Sequence, residues 1–246
     1  MQEQLWFTDL LNKALGGPVN DLLQKLPAPF HPSNPQAPIT NAVAMEFLVM
    51  IILLVLFFLV RSRLSVEKPR AMQHTVEMLD GFVRSTCADI IGHHYERFVP
   101  LLTTIFVFVL VCNLLGVIPT FDSPTADVTV PLGLAVVSFL YYNWQGFRKN
   151  GPAGYLKHFL GPVGWLAPLM LVIETISHFA RLLSLTVRLW ANIFAGDLVT
   201  MAFFSMIPLA LPVAFNMLHI GVAILQAYVF MLLTIIYLSG AVAEEH

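Results

Sequence analysis

Long stretches of this sequence contain no Asp, Glu, Lys or Arg, and they limit what the chain can fold into. The longest covers residues 198–243, and two shorter ones cover residues 98–121 and 128–147. Charged residues make up only 11 % of the chain and hydrophobic residues 57 %, which is too little charge to keep a water-soluble domain of this size in solution. The sequence therefore predicts an all-α integral membrane protein.

The net charge and the cysteines exclude several classes of function. A formal net charge of −2 provides no basic field for nucleic acid. Cys87 and Cys112 fall in or near predicted helices, without the spacing of a zinc or redox motif, so we interpret both as small core residues. We expect no metal site, no cofactor and no nucleic-acid partner.

The first predicted membrane span covers residues 41–61. It is apolar except for Glu46, and about 20 residues suffice to cross a hydrocarbon core roughly 30 Å thick. By the positive-inside rule, the basic residues that follow place this end in the cytoplasm and residues 1–40 outside; they are Arg61, Arg63, Lys68 and Arg70. We predict that the outer segment contains a short surface helix and a proline-rich extended stretch.

Residues 70–95 differ from the spans on both sides. Apolar residues recur at helical spacing, while Glu77, Asp80 and Arg84 fall elsewhere around the helix. This segment carries too much charge to cross, so we predict an amphipathic helix along the cytoplasmic interface. His93 and His94 end it. Because adjacent residues point to different faces of a helix, we expect no metal site there.

Two further spans, at residues 98–119 and 128–147, are predicted to carry the chain out and back. The loop between them contains Asp122 and Asp127 but no Lys or Arg, as expected of an outside loop. The second span ends at Arg148 and Lys149, which marks the cytoplasmic side. The loop charges thus agree on one orientation.

The last third of the chain predicts a C-terminal hairpin of two long, tilted membrane helices, at residues 166–206 and 210–243. The first lacks proline after Pro168, and some 35 residues at about 1.5 Å each exceed what a perpendicular span needs. We predict the turn near Pro208–Pro212. The C-terminus then lies in the cytoplasm, and residues 41–246 form a single membrane domain.

Polar side chains in this hairpin follow a pattern. Five residues of the first long helix fall within roughly 80° of one another at about 100° per residue: Glu174, His178, Arg181, Arg188 and Asn192. Asp197 follows on another face. In the second long helix, His219 and Gln226 share one face.

Arg188 is the residue of this set that most needs an explanation. Its guanidinium stays protonated at any accessible pH, so it would be a fixed positive charge at membrane depth. No acidic residue stands at the same depth in the next helix, and we therefore interpret Arg188 as functional. Arg181 can extend to the interface. Hydrogen bonding between helices could account for His219 and Gln226.

These residues resemble the motifs of a known family, ATP synthase subunit a. The run LSLTVRLWANIFAGD at residues 183–197 is similar to the signature around that family's essential arginine. LQAYVF at 225–230 resembles its last helix, and NLLGVIP at 113–119 with SPTAD at 123–127 resembles its outer-loop motif. Two departures are Trp190-Ala191, where the family usually has Phe-Gly, and Asp197, where Glu or His is common.

The resemblance implies a stationary, non-catalytic subunit in a coupling membrane, typically the bacterial cell inner membrane, with a ring of c subunits, peripheral-stalk b subunits and lipid as its partners. Arg188 would separate two half-channels to the carboxylates of the ring. Asp197 and His219 would serve the outer half-channel, and Glu174 and His178 the inner one. Asn192 and Gln226 would hold Arg188 in position without neutralising it.

Two other functions are weighed against this one. A secondary transporter could use a buried arginine to bind an anionic substrate, although the sequence lacks paired Gly/Pro-broken helices in corresponding halves. A purely structural stator anchor could use the polar residues for helix packing alone.

Overall fold

The computed structural model describes residues 5–25, 27, 34, 37–62, 64–65, 71–118, 121–160, 166–206 and 210–242, without the side chains of 152–153, 155–160, 204–206 and 210–212. Within these residues the fold is all-helical, as predicted. Its seven α-helices are α1 (Trp6–Gln24), α2 (Asn41–Ser62), α3 (Ala71–Ile91), α4 (Val99–Leu115), α5 (Thr129–Leu160), α6 (Ala167–Met206) and α7 (Ala210–Val242).

Three of the described helices are long and apolar enough to cross a membrane: α2, α6 over Ala167–Phe203, and α7 over Val213–Val242. The predicted span at residues 98–119 corresponds to α4, which is apolar but has only 17 residues. At about 1.5 Å per residue, α4 is about 26 Å long, slightly less than the hydrocarbon core.

Helix α5 extends beyond the span predicted at residues 128–147. It continues past Arg148 and Lys149 to Leu160, with a kink at Gly151, whose φ is 69°. Basic residues mark the membrane surface but do not terminate a helix, whereas a left-handed φ interrupts the backbone hydrogen bonds.

Helix α3 is shorter than the amphipathic segment predicted at residues 70–95. It ends at Ile91, and Gly92 follows with a φ of 76°. Glycine adopts this left-handed conformation without a steric penalty and commonly stops helices. His93 and His94 therefore lie in a turn, and His94 itself has a φ of 63°. The premise that they occupy two faces of a helix was wrong.

Helix α7 lies at the centre of the fold and packs against α3, α4, α5 and α6. Its residues Phe230, Met231 and Ile235 are buried against Leu189 and Ile193 of α6. Between apolar helices in lipid, such contacts stabilise through close packing rather than removal from water. The core therefore fixes how α6 and α7 lie against each other.

The loop between α4 and α5 is held by buried polar contacts. Asn113 donates to the carbonyl of Ala223 at 3.2 Å and accepts from the Thr125 hydroxyl at 2.7 Å. The hydroxyls of Ser123 and Thr125 are 2.8 Å apart. The outer-loop motif thus connects α4 and its loop to α7. Gly116 is required here, because an added Cβ would lie 2.5 Å from the Cβ of Ser123.

Helices α6 and α7 run antiparallel. A residue nearer the start of α6 contacts a residue nearer the end of α7. Residues 207–209, on which much of the predicted turn falls, lie outside the described residues. Helix α7 begins at Ala210, so Pro212 stands in its first turn, where proline is tolerated.

Candidate functional site

Arg188 lies about midway along α6 and is half-buried. Its Nη2 donates to the hydroxyl of Ser184, one turn earlier, at 3.2 Å. Among the described residues it forms no ion pair. The neighbouring side chains Leu183 and Val187 are exposed apolar groups. Arg188 is thus a fixed charge beside exposed apolar side chains, with the polar side chains of Ser184 and Asn192 one turn to either side.

The two amides expected to hold Arg188 bind each other. Asn192 of α6 donates to Oε1 of Gln226 on α7 at 2.8 Å. Gln226 is 1 % exposed, and its Nε2 has no hydrogen-bond partner within the described part of the chain. The pair joins α6 to α7 one turn from Arg188 and adds no charge beside it.

Asp197 and His219 meet between the same two helices, further toward the end of α6. Oδ1 of Asp197 is 3.7 Å from Nδ1 of His219, whose side chain is buried. Gly196 makes room for the imidazole, because a Cβ there would be 3.1 Å from its Cε1. Asp197, which lies off the polar stripe, therefore also faces α7.

A second cluster lies toward the start of α6. Oε1 of Glu174 is 3.4 Å from Nδ1 of His178 and 3.6 Å from Nη2 of Arg181. His178 is buried, with its ring 5.8 Å from that of Tyr142 on α5. The guanidinium of Arg181 lies over the ring of Tyr237 on α7, at 5.5 Å. The cluster thus contacts both neighbouring helices.

Several residues of the site were not identified from the sequence. The helical spacing could have identified Tyr237. It lies 18 residues after His219, which is five full turns of α7 at about 3.6 residues each. Tyr142 belongs to another helix and carries no such signal. Ser184 lies one turn before Arg188, but a single serine in a membrane helix is not by itself a signal of a functional site.

Trp190, a departure from the usual family pattern, has a structural role. Its indole N–H donates to the carbonyl of Ala126 at 3.0 Å. Phenylalanine could not make this bond, which connects α6 to the loop between α4 and α5.

The order of these groups along α6 defines what the site can do. Arg188 lies between the two clusters, about 13 Å from Asp197 and about 21 Å from Glu174 by helical rise. Each cluster contains a carboxyl and an imidazole, groups that accept and release protons. The described residues contain no group of three or more His, Cys, Asp or Glu side chains that could hold a metal ion.

Comparison with known proteins identifies the family of this chain. The sequence profile of the ATP synthase A chain matches residues 43–239. The chain is 50 % identical to ATP synthase subunit a of Koribacter versatilis over 246 residues, covering 100 % of both. This chain belongs to the ATP synthase subunit a family. Subunit a of Solibacter usitatus is 48 % identical over 209 residues, 85 % of this chain and 90 % of that protein.

A third relative, subunit a of Geotalea uraniireducens, is 39 % identical over 223 residues, which is 91 % of this chain and 95 % of its own. The profile match includes both clusters and Arg188, so every site residue lies within the part shared with subunit a. The resemblance inferred from the motifs is thereby confirmed.

Proposed function

We propose that this chain is the proton-conducting stator subunit of a rotary ATP synthase, in which Arg188 separates two half-channels. Membership of the subunit a family implies the coarser role, proton translocation in the membrane sector. The observation that carries the finer proposal is the position of Arg188. It is a fixed charge without an ion-pair partner among the described residues, and it lies between two clusters of proton-exchanging groups along α6.

The partner of Arg188 is a carboxylate on each c subunit of a ring that moves past α6. An opposite charge within a few Å favours the ionised form of a carboxyl group, so Arg188 causes each arriving carboxyl to release its proton. The exposed apolar residues of α6 and α7 around this position, such as Val187, Leu225 and Met217, suit contact with apolar helices of the ring.

Asp197 and His219 form the outer half-channel. Their 3.7 Å separation allows a proton to pass between them directly or through one water. Arg188 then separates this path from the inner one, because a fixed cation raises the energy of a hydronium that would cross directly.

Glu174 and His178 form the inner half-channel. Arg181, whose guanidinium lies over the ring of Tyr237, holds Glu174 on the side of the chain where the proton leaves. Asn192 and Gln226 keep α6 and α7 in register beside Arg188. A potential of 100 mV supplies about 2.3 kcal/mol per proton for this passage.

The proposed membrane arrangement follows from the charges. Helices α2, α4 and α5 each cross once, α3 lies along the cytoplasmic interface, and α6 and α7 form a tilted hairpin. The N-terminus lies outside and the C-terminus in the cytoplasm of a bacterial cell, in its inner membrane. Peripheral-stalk b subunits and lipid complete the set of partners.

Proton flux into vesicles tests this proposal against the two alternatives. One sample contains the purified membrane sector with its c-ring, and the other contains this chain alone. We expect flux only with the ring. A secondary transporter would move an anionic solute without the ring, and a structural anchor would support no flux in either sample.

A further inference from the structure

A cavity outside the proposed proton path opens where the ends of α3 and α7 meet α5. Its volume is about 170 Å³. Basic or imidazole side chains line one part of it: His93, His94, Arg97 and Lys149. Apolar side chains line the rest: Ile91, Phe98 and Val242.

Three features of the fold define the shape of this cavity. The turn at Gly92 and His94 brings both imidazoles to the same cavity, although they are adjacent in sequence. The Arg97 guanidinium lies 4.4 Å from the centre of the Phe98 ring. Lys149 Nζ donates to the carbonyl of Val242 at 2.8 Å and so joins α5 to the end of α7.

The described side chains that line this cavity include basic groups but no carboxylate. Among the described residues, no carboxylate lies within ion-pair distance of His93, His94 or Arg97. Glu96 is exposed and does not line the cavity. An anion bound here would meet the guanidinium of Arg97 and two imidazoles, which can donate hydrogen bonds in either protonation state.

We propose that the cavity binds the phosphate of an anionic lipid headgroup. Arginine and lysine recognise phosphate through short, charge-assisted hydrogen bonds. The apolar part of the lining favours a lipid over free phosphate, because a lipid places hydrocarbon directly beside its headgroup. In the proposed topology the cavity lies at the cytoplasmic membrane surface, where basic pockets between helices bind such headgroups.

The test compares the lipid retained by variants of the assembled ATP synthase complex. The purified complex is equilibrated in mixed micelles with phosphatidylglycerol or phosphatidylcholine, and bound lipid is counted by native mass spectrometry. The variant combines His93→Gln with Arg97→Gln. Arg148→Gln is the matched control, since Arg148 is exposed and next to Lys149 but does not line the cavity.

We expect the wild type and Arg148→Gln to retain phosphatidylglycerol in preference to phosphatidylcholine. The double variant should bind phosphatidylglycerol about tenfold more weakly or worse, because it loses at least one charge-assisted hydrogen bond. Equal retention by the double variant and the wild type overturns the proposal. So does equal loss in Arg148→Gln, which would indicate only general surface charge.

Two further arms distinguish other occupants. Inorganic phosphate at the same concentration should not displace phosphatidylglycerol, and complete displacement would assign the cavity to the free anion. Glu244→Gln combined with Glu245→Gln should retain the lipid as the wild type does. A rise in retention would instead assign the cavity to the chain's own carboxylates. Every readout here is bound lipid, so a failure leaves the proposed proton path untouched.

Discussion

Arg188 has a hydroxyl, not a carboxylate, as its hydrogen-bond partner. Ser184 accepts from it at 3.2 Å, while the other arginine of the polar stripe, Arg181, lies 3.6 Å from the carboxylate of Glu174. Arg181 thus has an acidic partner within the chain, whereas Arg188 has none among the described residues. In the proposed mechanism, Arg188 is therefore the arginine that acts on a carboxylate from another subunit.

Replacing Arg188 by alanine should abolish proton-driven ATP synthesis while the complex still assembles. Loss of the fixed charge should also allow passive proton leak through the membrane sector. Arg188→Lys should fail nearly as badly, because a buried ammonium lacks the fork of donors and can deprotonate. ATP synthesis and proton leak are both measured in reconstituted vesicles.

Arg181→Lys is the matched control for the Arg188 variants. The side chain of Arg181 is 35 % exposed, so a lysine there stays solvated and charged, and synthesis should be largely retained. Coupled synthesis in Arg188→Ala at the wild-type level would refute the role given to this residue.

Asp197 and His219 should behave as one unit. Asp197→Leu or His219→Leu should slow proton uptake from outside and strongly reduce synthesis, without the leak expected of Arg188→Ala. Because the two groups face each other at 3.7 Å, removing either already interrupts the path, and the double variant should lose less than the sum of the two single effects. Synthesis rates of the four proteins give this coupling energy, and strict additivity would contradict a shared path.

At the scale of single elements, the loop between α4 and α5 depends on the absence of a side chain at Gly116. Gly116→Ala places a Cβ 2.5 Å from the Cβ of Ser123, in a region already closed by the Ser123–Thr125 and Thr125–Asn113 hydrogen bonds. Overpacking of this kind costs about 1–3 kcal/mol. We expect a lower thermal midpoint for the purified complex.

Gly133→Ala is the control for this loop. Gly133 lies in α5, where an added Cβ meets no atom within 4 Å, and alanine has a higher helix propensity than glycine by about 1 kcal/mol. Its thermal midpoint should be unchanged or higher. Equal destabilisation by both substitutions would show that the contact with Ser123 is not the cause.

The helices differed in how far they could be predicted. The long helix α6 follows from a run without internal proline after Pro168, and its bounds, Ala167–Met206, agree closely with the expected 166–206. The end of α3 differs from the prediction, although Gly92 is a stop signal that stands between the helix and the two histidines. Helix α5 extends beyond the end of the predicted span, because basic residues mark the membrane surface rather than the end of a helix.

The contacts within the site could be predicted only in part. The sequence indicates where the turn lies. Two antiparallel helices on either side of that turn place Asp197 and His219 at similar depth. Which amide binds which depends on rotamers and on the distance between helices. Asn192 therefore contacts Gln226 rather than Arg188, and no periodicity in the sequence encodes that choice.

At the scale of the whole molecule, the orientation in the membrane remains a prediction. Single cysteines introduced between residues 121 and 126 should react with impermeant thiol reagents only from outside. Cysteines introduced at 148–151 should react only from the cytoplasm. The experiment uses intact cells and inverted membrane vesicles. The opposite labelling would reverse the orientation and exchange the two half-channels.

The native cysteines should give little background in this experiment. Cys87 and Cys112 are both buried. Burial also raises the pKa of the Cys87 thiol on α3 to about 11, so this group stays protonated near neutral pH, and the thiolate is the reactive form. Labelling of the unmodified chain is the control and should be close to zero.

In the proposed mechanism, a rotor that turns past Arg188 has to form and release a contact with its guanidinium at every step. Giving up the bond to Ser184 costs about 1.5–3 kcal/mol, since the donor is charged, whereas disrupting a buried ion pair within the stator would cost about 3–5 kcal/mol. The guanidinium can therefore turn toward each arriving carboxylate and return without a large barrier. In the proposed mechanism, the bond to Ser184 therefore keeps the free-energy change of this step small, and little of the energy of each proton is dissipated at the contact.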